Sequence, residues 1–520
     1  MAFAATFDTV TRSATFPAAG YERAAVELLT DLGFEFGLPR PTTTTLLDTF
    51  DGRLHRSGLR LQMTDGDGVE LALSGDDTTP AHLVVDAAPR VPEDLPSGPV
   101  RARVAAVVGE RALLPRLRTS AQRTRGLLRD AAGKVVAIAD VHDEVRVLDR
   151  PDAHLDATIE IHEVPGYPKH ARRALESLRR LGLVESETDT LAQCAAAAGV
   201  DLAGFTATAT VPLEPDMAAI DGFRLVLANL ATTIAANWQG TIDQSDPEFL
   251  HDLRIAVRQT RTVLAAAKHV LPAEIRDLAR DEFAWLADLT STPRDLDVYL
   301  LEWSSYTDPL GPEVAASLEP VRDLLERRRN DGHVALERGL CSERAATLMN
   351  TWQGWLATPS VRDGLPRRAL RPLGPLVAKR IARAHEIVLE HGRRIGPDTP
   401  AEHVHDLRKD AKKLRYLLEC FGGLLPKGAR KRYVKRLRAL QDNLGEHQDA
   451  EVHTHMLRAV ATELHDIGAS ADTMLAIGQL TERLDQQRHA ARIEFAERFA
   501  DYDTPATQRA LDAVLDRITT

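Results

Sequence analysis

The sequence predicts an α+β N-terminal domain followed by an all-α C-terminal domain of two pseudo-symmetric helical bundles. Three observations carry that division. Up to about residue 205, short runs of alternating apolar and polar residues recur between Gly and Asp turns, as half-buried strands require. Beyond about residue 215, apolar residues return every three or four positions as far as the C-terminus, the period of amphipathic helices. Within that helical part, HDLRIAVRQTR at His251 to Arg261 comes back 154 residues later as HDLRKDAKKLR at His405 to Arg415.

Taken in order, strands are expected at 59–63, 69–73, 135–138 and 157–161, with helices at 21–32, 170–181 and 191–198. A Thr- and Pro-rich stretch, 205–215, reads as a linker, so the domains run 1–204 and 216–520, the second dividing into 216–369 and 370–520. Helices are then expected at 217–238, 247–270, 273–287, 295–303, 313–329 and 345–355. A second set follows at 375–394, 401–420, 429–444, 449–464, 471–499 and 505–518.

A chain of 520 residues is long enough for about two to four domains with large cores. Its three cysteines, Cys194, Cys341 and Cys420, are odd in number and far apart, which suggests neither a disulfide framework nor a CxxC metal site. The N-terminus lacks a basic region leading into an apolar one, and no run approaches 18 apolar residues, so a soluble cytoplasmic protein with no membrane partner is expected. Net charge is −11, which argues against a surface that is basic throughout. Yet residues 403–438 hold 12 Lys and Arg against three acids, Asp406, Asp410 and Glu419. An acidic chain that concentrates positive charge in one place holds a polyanion there and repels it elsewhere.

The repeat gives that charge a geometry. His251, Arg254, Arg258 and Arg261 stand at i, i+3, i+7 and i+10, and so do His405, Arg408, Lys412 and Arg415. On a helix those side chains fall within an arc of roughly 80° and form a cationic rail about 15 Å long. Leu250, Leu253, Val257 and Leu264, and likewise Val404, Leu407, Ala411 and Leu414, keep a separate apolar stripe for the core. Arg binds anionic oxygens two at a time and Lys adds compact charge, so polyanion-binding residues are expected along both rails, with Lys413 beside them. Lys379, Arg380 and Arg383 before the second rail, and Arg430, Arg432, Lys435 and Arg436 after it, should deepen the field there and make the groove lopsided. The first rail has fewer neighbours, chiefly Lys268, Arg276 and Arg280. At the same offset Asp295 and Asp297 match Asp449 and Glu451, where one helix is expected to end and the next to begin. They are read as helix caps or as partners that orient the rails.

From about Pro215 onward, the doubled HxxR rail followed by an acidic RDxD-like turn resembles the CHAD domain family. That resemblance implies two helical bundles around a basic groove that binds inorganic polyphosphate, with association with polyphosphate granules. The first domain is similar to the CYTH domain of triphosphate tunnel enzymes, through LLDTFDGRLHRSGLRLQ at 46–62 and IEIHE at 159–163. It implies an antiparallel β tunnel with flanking helices, lined with cations for a triphosphate and carboxylates for a divalent metal.

The tunnel pattern is incomplete. The opening ExExK aligns with Asp8-Thr9-Val10-Thr11-Arg12, the second Arg of LRxR is Gln62, the following Lys is Ala72, and the inward position after Glu160 is His162. The inward groups that survive are Asp8, Arg12, Arg60, Arg123, Arg125, Asp140 and Glu160. Arg12, Arg60, Arg123 and Arg125 are the residual tunnel phosphate-binding candidates. No catalytic residue, metal ligand or cofactor is expected, Mg or Mn entering only if the tunnel is active. A hard dication tolerates the loss of oxygen ligands poorly. The alternatives are a metal-dependent triphosphatase or polyphosphatase working through Asp140 and Glu160, and a protein- or nucleic-acid-binding scaffold. Aromatic residues are only 5% of the chain and do not interleave with the rails, which leaves bases little to stack on. Nothing in the sequence speaks to oligomeric state.

Overall fold

The computed structural model describes residues 12–65, 69–75, 78–207, 210–358 and 364–519, which form two compact units, Met1–Thr206 and Ala207–Thr520. The first is one antiparallel sheet with helices. Its strands are β1 (Arg12–Pro17), β2 (Phe34–Phe36), β3 (Arg40–Asp48), β4 (Leu59–Asp65), β5 (Val69–Gly75), β6 (Thr78–Val85), β7 (Leu114–Arg129), β8 (Val135–Val147), β9 (His154–Leu155) and β10 (Thr158–Glu163). The main order is β1-β10-β8-β7-β3-β4-β5-β6, with β2 on β7 and β9 on β8. Its helices are α1 (Glu22–Asp31), α2 (Arg53–Arg56), α3 (Pro99–Val108), α4 (Pro168–Arg180) and α5 (Thr190–Ala197).

Period-two alternation sorts the central strands into two faces. Ala137, Ala139 and Val141 of β8 and Ile159 and Ile161 of β10 are buried with Ala25, Leu29, Ala174 and Leu178 of α1 and α4. The residues between them, Asp140, His142, Glu160 and His162, therefore point to the other face. Register then aligns Arg125 with Asp140 and Asp140 with Glu160 across three strands. The Asp48-Thr49 turn is structural: Asp48 is buried and accepts from the Thr49, Leu54 and His55 amides at 2.6, 2.9 and 2.9 Å, holding the start of α2.

The second unit is helical: α6 (Ala219–Ile242), α7 (Pro247–Ala266), α8 (Ala273–Leu289), α9 (Ser291–Leu301), α10 (Trp303–Thr307), α11 (Pro312–Ser317), α12 (Glu319–Leu340) and α13 (Glu343–Ala357). It continues with α14 (Leu373–Gly392), α15 (Ala401–Cys420), α16 (Lys427–Asp466), α17 (Ala471–Tyr502) and α18 (Pro505–Thr519). The two halves share their cores. One core joins Phe223, Leu253 and Phe283 of the first half to Leu407, Leu414 and Leu437 of the second, and Phe223 meets Phe421 edge-on at 5.0 Å. Another joins Leu296, Tyr299 and Leu325 to Leu457, Val460 and Leu480. Helix α6 is long and apolar enough to cross a membrane, yet it is a core element with Phe223, Leu227 and Ile234 fully buried.

Some boundaries differ from expectation. The helices expected at 429–444 and 449–464 are one 40-residue helix, α16. A single Gly445 costs about 1 kcal/mol against Ala, and burial of Leu440, Leu444, Leu457 and Val460 outweighs it. Only Thr290 separates α8 from α9. The stretch read as a linker is divided: the Phe205 amide donates to Phe50 O at 3.2 Å in the first unit, and Leu213 is buried in the second unit's core.

Candidate functional site

Helices α7 and α15 carry the two rails. Asp246 caps α7, accepting from the Glu248 and Phe249 amides, and Pro247 opens its first turn. The predicted stripes are buried in both helices, Leu253, Val257 and Leu264 in one and Leu407, Ala411 and Leu414 in the other. The two helices pack against each other, and Gln259 Nε2 donates to Glu419 Oε2 across them at 3.1 Å.

That packing brings the rails together. Arg258 and Lys412, equivalent positions in the two copies, make no hydrogen bond or ion pair among the described residues. Burial first, then the charges of Arg408 and Arg258, push Lys412 down to about 7, with Asp449 opposing and Arg415 adding to the effect. Arg254 is lowered too, by burial and by Arg258, against the pull of Asp295. Arg408 Nε is buried without a hydrogen-bond partner among the described residues, as is Gln441 Nε2, whereas Arg415 Nε faces Glu419 Oε1 at 3.4 Å. Unsatisfied buried donors on cations are expensive unless an acceptor arrives.

The acids hold the rails in place. Arg254 pairs with Asp295 at 3.0 Å and bonds Ser291 Oγ at 2.5 Å, and Arg408 pairs with Asp449 at 3.1 Å, the same ion pair in each copy. Neither acid caps a helix. Asp449 lies inside α16 and Asp295 inside α9, so the helix-start reading of these positions is corrected. Asp297 and Glu451 turn away to the long helices that follow. Asp297 takes Arg329 at 2.6 Å and His333 at 2.9 Å, and Glu451 takes Arg488 at 2.9 Å. His405 donates Nδ1–H to Gln448 Oε1 at 2.7 Å, leaving Nε2 for another partner, and His251 is half-buried at the matching place. Arg415 reaches Gln441 Oε1 at 3.4 Å and lies over the Tyr416 ring. Arg261 and Lys413 are exposed at the margin.

The supporting cations do not gather at the rails. Helix α14 meets α15 through His391 and Asp410, 2.8 Å apart, and Asp410 lies roughly half a turn from the rail line. Lys379 is exposed, Arg383 pairs with Glu386 on its own helix at 3.1 Å, and Arg380 bonds Lys268 O at 3.2 Å beyond the end of α7. Gln441, Gln448 and Asp449 define the rail-facing side of α16, whereas Arg432, Lys435 and Arg436 lie on its other side and line a groove with α17 and α18. Three cations stand nearer, Arg430 from the expected set and Arg438 and Arg294 from outside it. The charges of Arg430 and Arg438 act on Glu419, itself raised by burial, and Arg294 acts on Arg254. In the first half Arg276 and Arg280 are taken up by Asp277 and Asp281.

The first unit carries a second charge cluster. Arg125 holds Asp140 with two bonds of 2.7 and 2.6 Å, and His162 Nε2 is 3.3 Å from the same carboxylate. Burial alone would raise Asp140, but these cations keep it well below the usual carboxylate range. Glu160 is likewise brought against burial to about 2, by His142, His162 and the Thr190 hydroxyl, which donates at 2.5 Å. His142, which sequence reasoning missed, is raised by Glu160 despite its burial. The signal was there: His142 and Asp140 are two residues apart on one strand, as Glu160 and His162 are on the next. Arg123 is lowered by burial and by Arg125 and makes no ion pair among the described residues. Arg60 is bound to Asp189, which caps α5. Arg12 opens β1, and Asp8 lies outside the described residues.

A curled antiparallel sheet followed by a helical unit of two copies, with cationic helices facing each other at its centre, defines a two-part class of chain. Residues 225–458 match the family model of the CHAD domain, and this part of the chain is a CHAD domain. Among solved structures the chain is similar to the CHAD domain of the plant Ricinus communis, at 26% identity and TM-score 0.44, covering 59% of this chain and 96% of that one. It is similar to PptA from Streptomyces chartreusis at 19% identity and TM-score 0.43, covering 54% and 99%. The adenylyl cyclase-like protein of Hippeastrum, described as having a dominant triphosphatase activity, matches at 16% identity and TM-score 0.26, covering 37% and 98%. An uncharacterised protein of Mycobacterium tuberculosis is 24% identical over 260 residues, so the chain spans about half the length of the curated relatives it matches.

Proposed function

We propose that the helical unit binds inorganic polyphosphate between the α7 and α15 rails, without catalysis, in the cytoplasm and at polyphosphate granules. The observation that carries this is the pair Arg258 and Lys412. These equivalent cations, whose side chains make no hydrogen bond or ion pair among the described residues, are held where burial and neighbouring charge suppress the lysine's proton, beside the Arg408 Nε group that lacks an acceptor. A phosphate chain supplies oxygens to all three and relieves the repulsion. Asp295 and Asp449 keep Arg254 and Arg408 in place while the chain enters. Tyr416, whose ring lies beneath Arg415, is buried and presents no face for a base to stack on, which favours phosphate over bases.

For the first unit we infer no metal-dependent chemistry. Asp140 accepts two bonds from Arg125 and lies 3.3 Å from His162 Nε2, and Glu160 accepts from the Thr190 hydroxyl with His142 3.8 Å away, a set that offers Mg²⁺ or Mn²⁺ few free oxygens. Equilibrium binding of long-chain polyphosphate across a salt series tests the proposal. Affinity should fall steeply with salt, and Arg258→Ala should flatten the log–log slope by about 0.7. An affinity indifferent to salt, or a slope unchanged in the variant, would refute it.

A further inference from the structure

The cations on the far side of α16 form a site of their own. Arg432, Lys435 and Arg436 of α16, Arg498 of α17 and Arg509 of α18 line one groove, with Asp501 its only carboxylate. The groove exists because its floor is small: Ala439, Ala506, Ala510 and Ala513 leave space between the three helices. Its volume is about 630 Å³, within the range of about 300–1,000 Å³ typical of small-ligand sites. Arg498 is spoken for by Glu494 at 2.6 Å, one helical turn away. The other four cations make no hydrogen bond or ion pair among the described residues. Four like charges facing one concavity in a chain of net charge −11 leave a local field that only an anion neutralises.

The lining also restricts which anion fits. Tyr502 is the groove's aromatic residue, but it is 2% exposed and its hydroxyl is tied to Tyr433 at 2.7 Å and His385 at 3.0 Å. No ring is presented for a nucleobase to stack on. Alanine walls give an apolar ligand little to grip. What remains is a compact polyanion whose oxygens meet Arg forks and a Lys from several directions.

We propose that this groove is a second, separate anion site that takes a short oligophosphate segment. The choice of phosphate rests on the reading of the rails; the groove's charge does not. Because the rails and the groove occupy opposite sides of α16, one long chain passing around that helix engages both, and linking the two contacts raises the affinity for long chains over short ones.

Calorimetric titration with tripolyphosphate tests this, with thermal melts to confirm folding. The wild-type chain should bind two equivalents. Arg432→Ala with Arg436→Ala should remove one and leave the other, and so should Ala513→Glu, which places a carboxylate at an exposed position of the floor. For long polyphosphate the same variants should weaken binding at least tenfold. Lys427→Ala with Lys431→Ala removes equal charge from α16 outside the groove and should leave both sites. If the groove variants titrate like wild type, or if the control pair does the same damage, the groove is not a site, whatever becomes of the rails. If Lys412→Ala leaves both equivalents while the groove variants lose one, the groove stands and the rail reading fails.

Discussion

Raising the pH from 7 to 9 should weaken polyphosphate binding about fiftyfold through one side chain. Lys412 titrates near 7 in the free protein, because it is half-buried and faces Arg408, Arg258 and Arg415. A bound phosphate chain cancels those charges and returns the ammonium toward its ordinary range, about 10. Binding is then linked to proton uptake. With a free value of about 7 and a bound value of about 10, affinity drops about fivefold from pH 7 to 8 and about eightfold more by pH 9. At pH 8 about 0.9 proton should be taken up per complex. Titration calorimetry in two buffers of different ionisation enthalpy measures that uptake directly. Lys412→Arg carries a charge that does not titrate in this range, so it should bind with a flat profile and exceed wild type at pH 9. A wild-type profile that is already flat, or an arginine variant with the same slope, would refute the reasoning.

Two further outcomes follow from the first unit. No Mg²⁺- or Mn²⁺-dependent hydrolysis of tripolyphosphate above background is expected, and multiple turnovers abolished by Glu160→Gln would overturn that. Stability should respond to pH at both ends. Glu160 contributes fully above its ordinary value of 4.5 and loses its share as pH falls toward 2, while His142 contributes fully below 6.5 and loses its share as pH rises through its elevated folded value. Glu160→Gln should cost about 3 kcal/mol at pH 6, and the gap from wild type should close in acid, as denaturation at pH 6 and pH 3 will show.

The rails were legible because helical spacing is rigid. Four cations at i, i+3, i+7 and i+10 share a face whatever surrounds them, and repetition set them apart from a merely solvated surface. Strands were legible from alternation for the same reason, while their antiparallel order came from the family resemblance. What the sequence hid was the identity of each helix's neighbours. Lys379 to Arg383 and Arg432 to Arg436 are close to the second rail in sequence, yet facing direction, set by which residues are buried, sends them elsewhere, keeps Arg430 and brings Arg438 and Arg294 in. The break expected between 444 and 449 was a misreading of Leu-Gly-Glu-His. Local composition suggested a turn, and the apolar face of α16, buried on both sides of Gly445, carried the helix through. His142 escaped because a lone histidine on a strand has no signal until its cross-strand partner, Glu160, is known.

The matched ion pairs Arg254–Asp295 and Arg408–Asp449 give each rail the same acid at the same place in the repeat. Inorganic polyphosphate, the proposed ligand, looks the same from either terminus, so neither of its ends has to enter such a pair of rails first. A nucleic acid, whose backbone has a direction, gains nothing from such a receptor. Selectivity of this kind would lie in the arrangement of the contacts and not in any one of them.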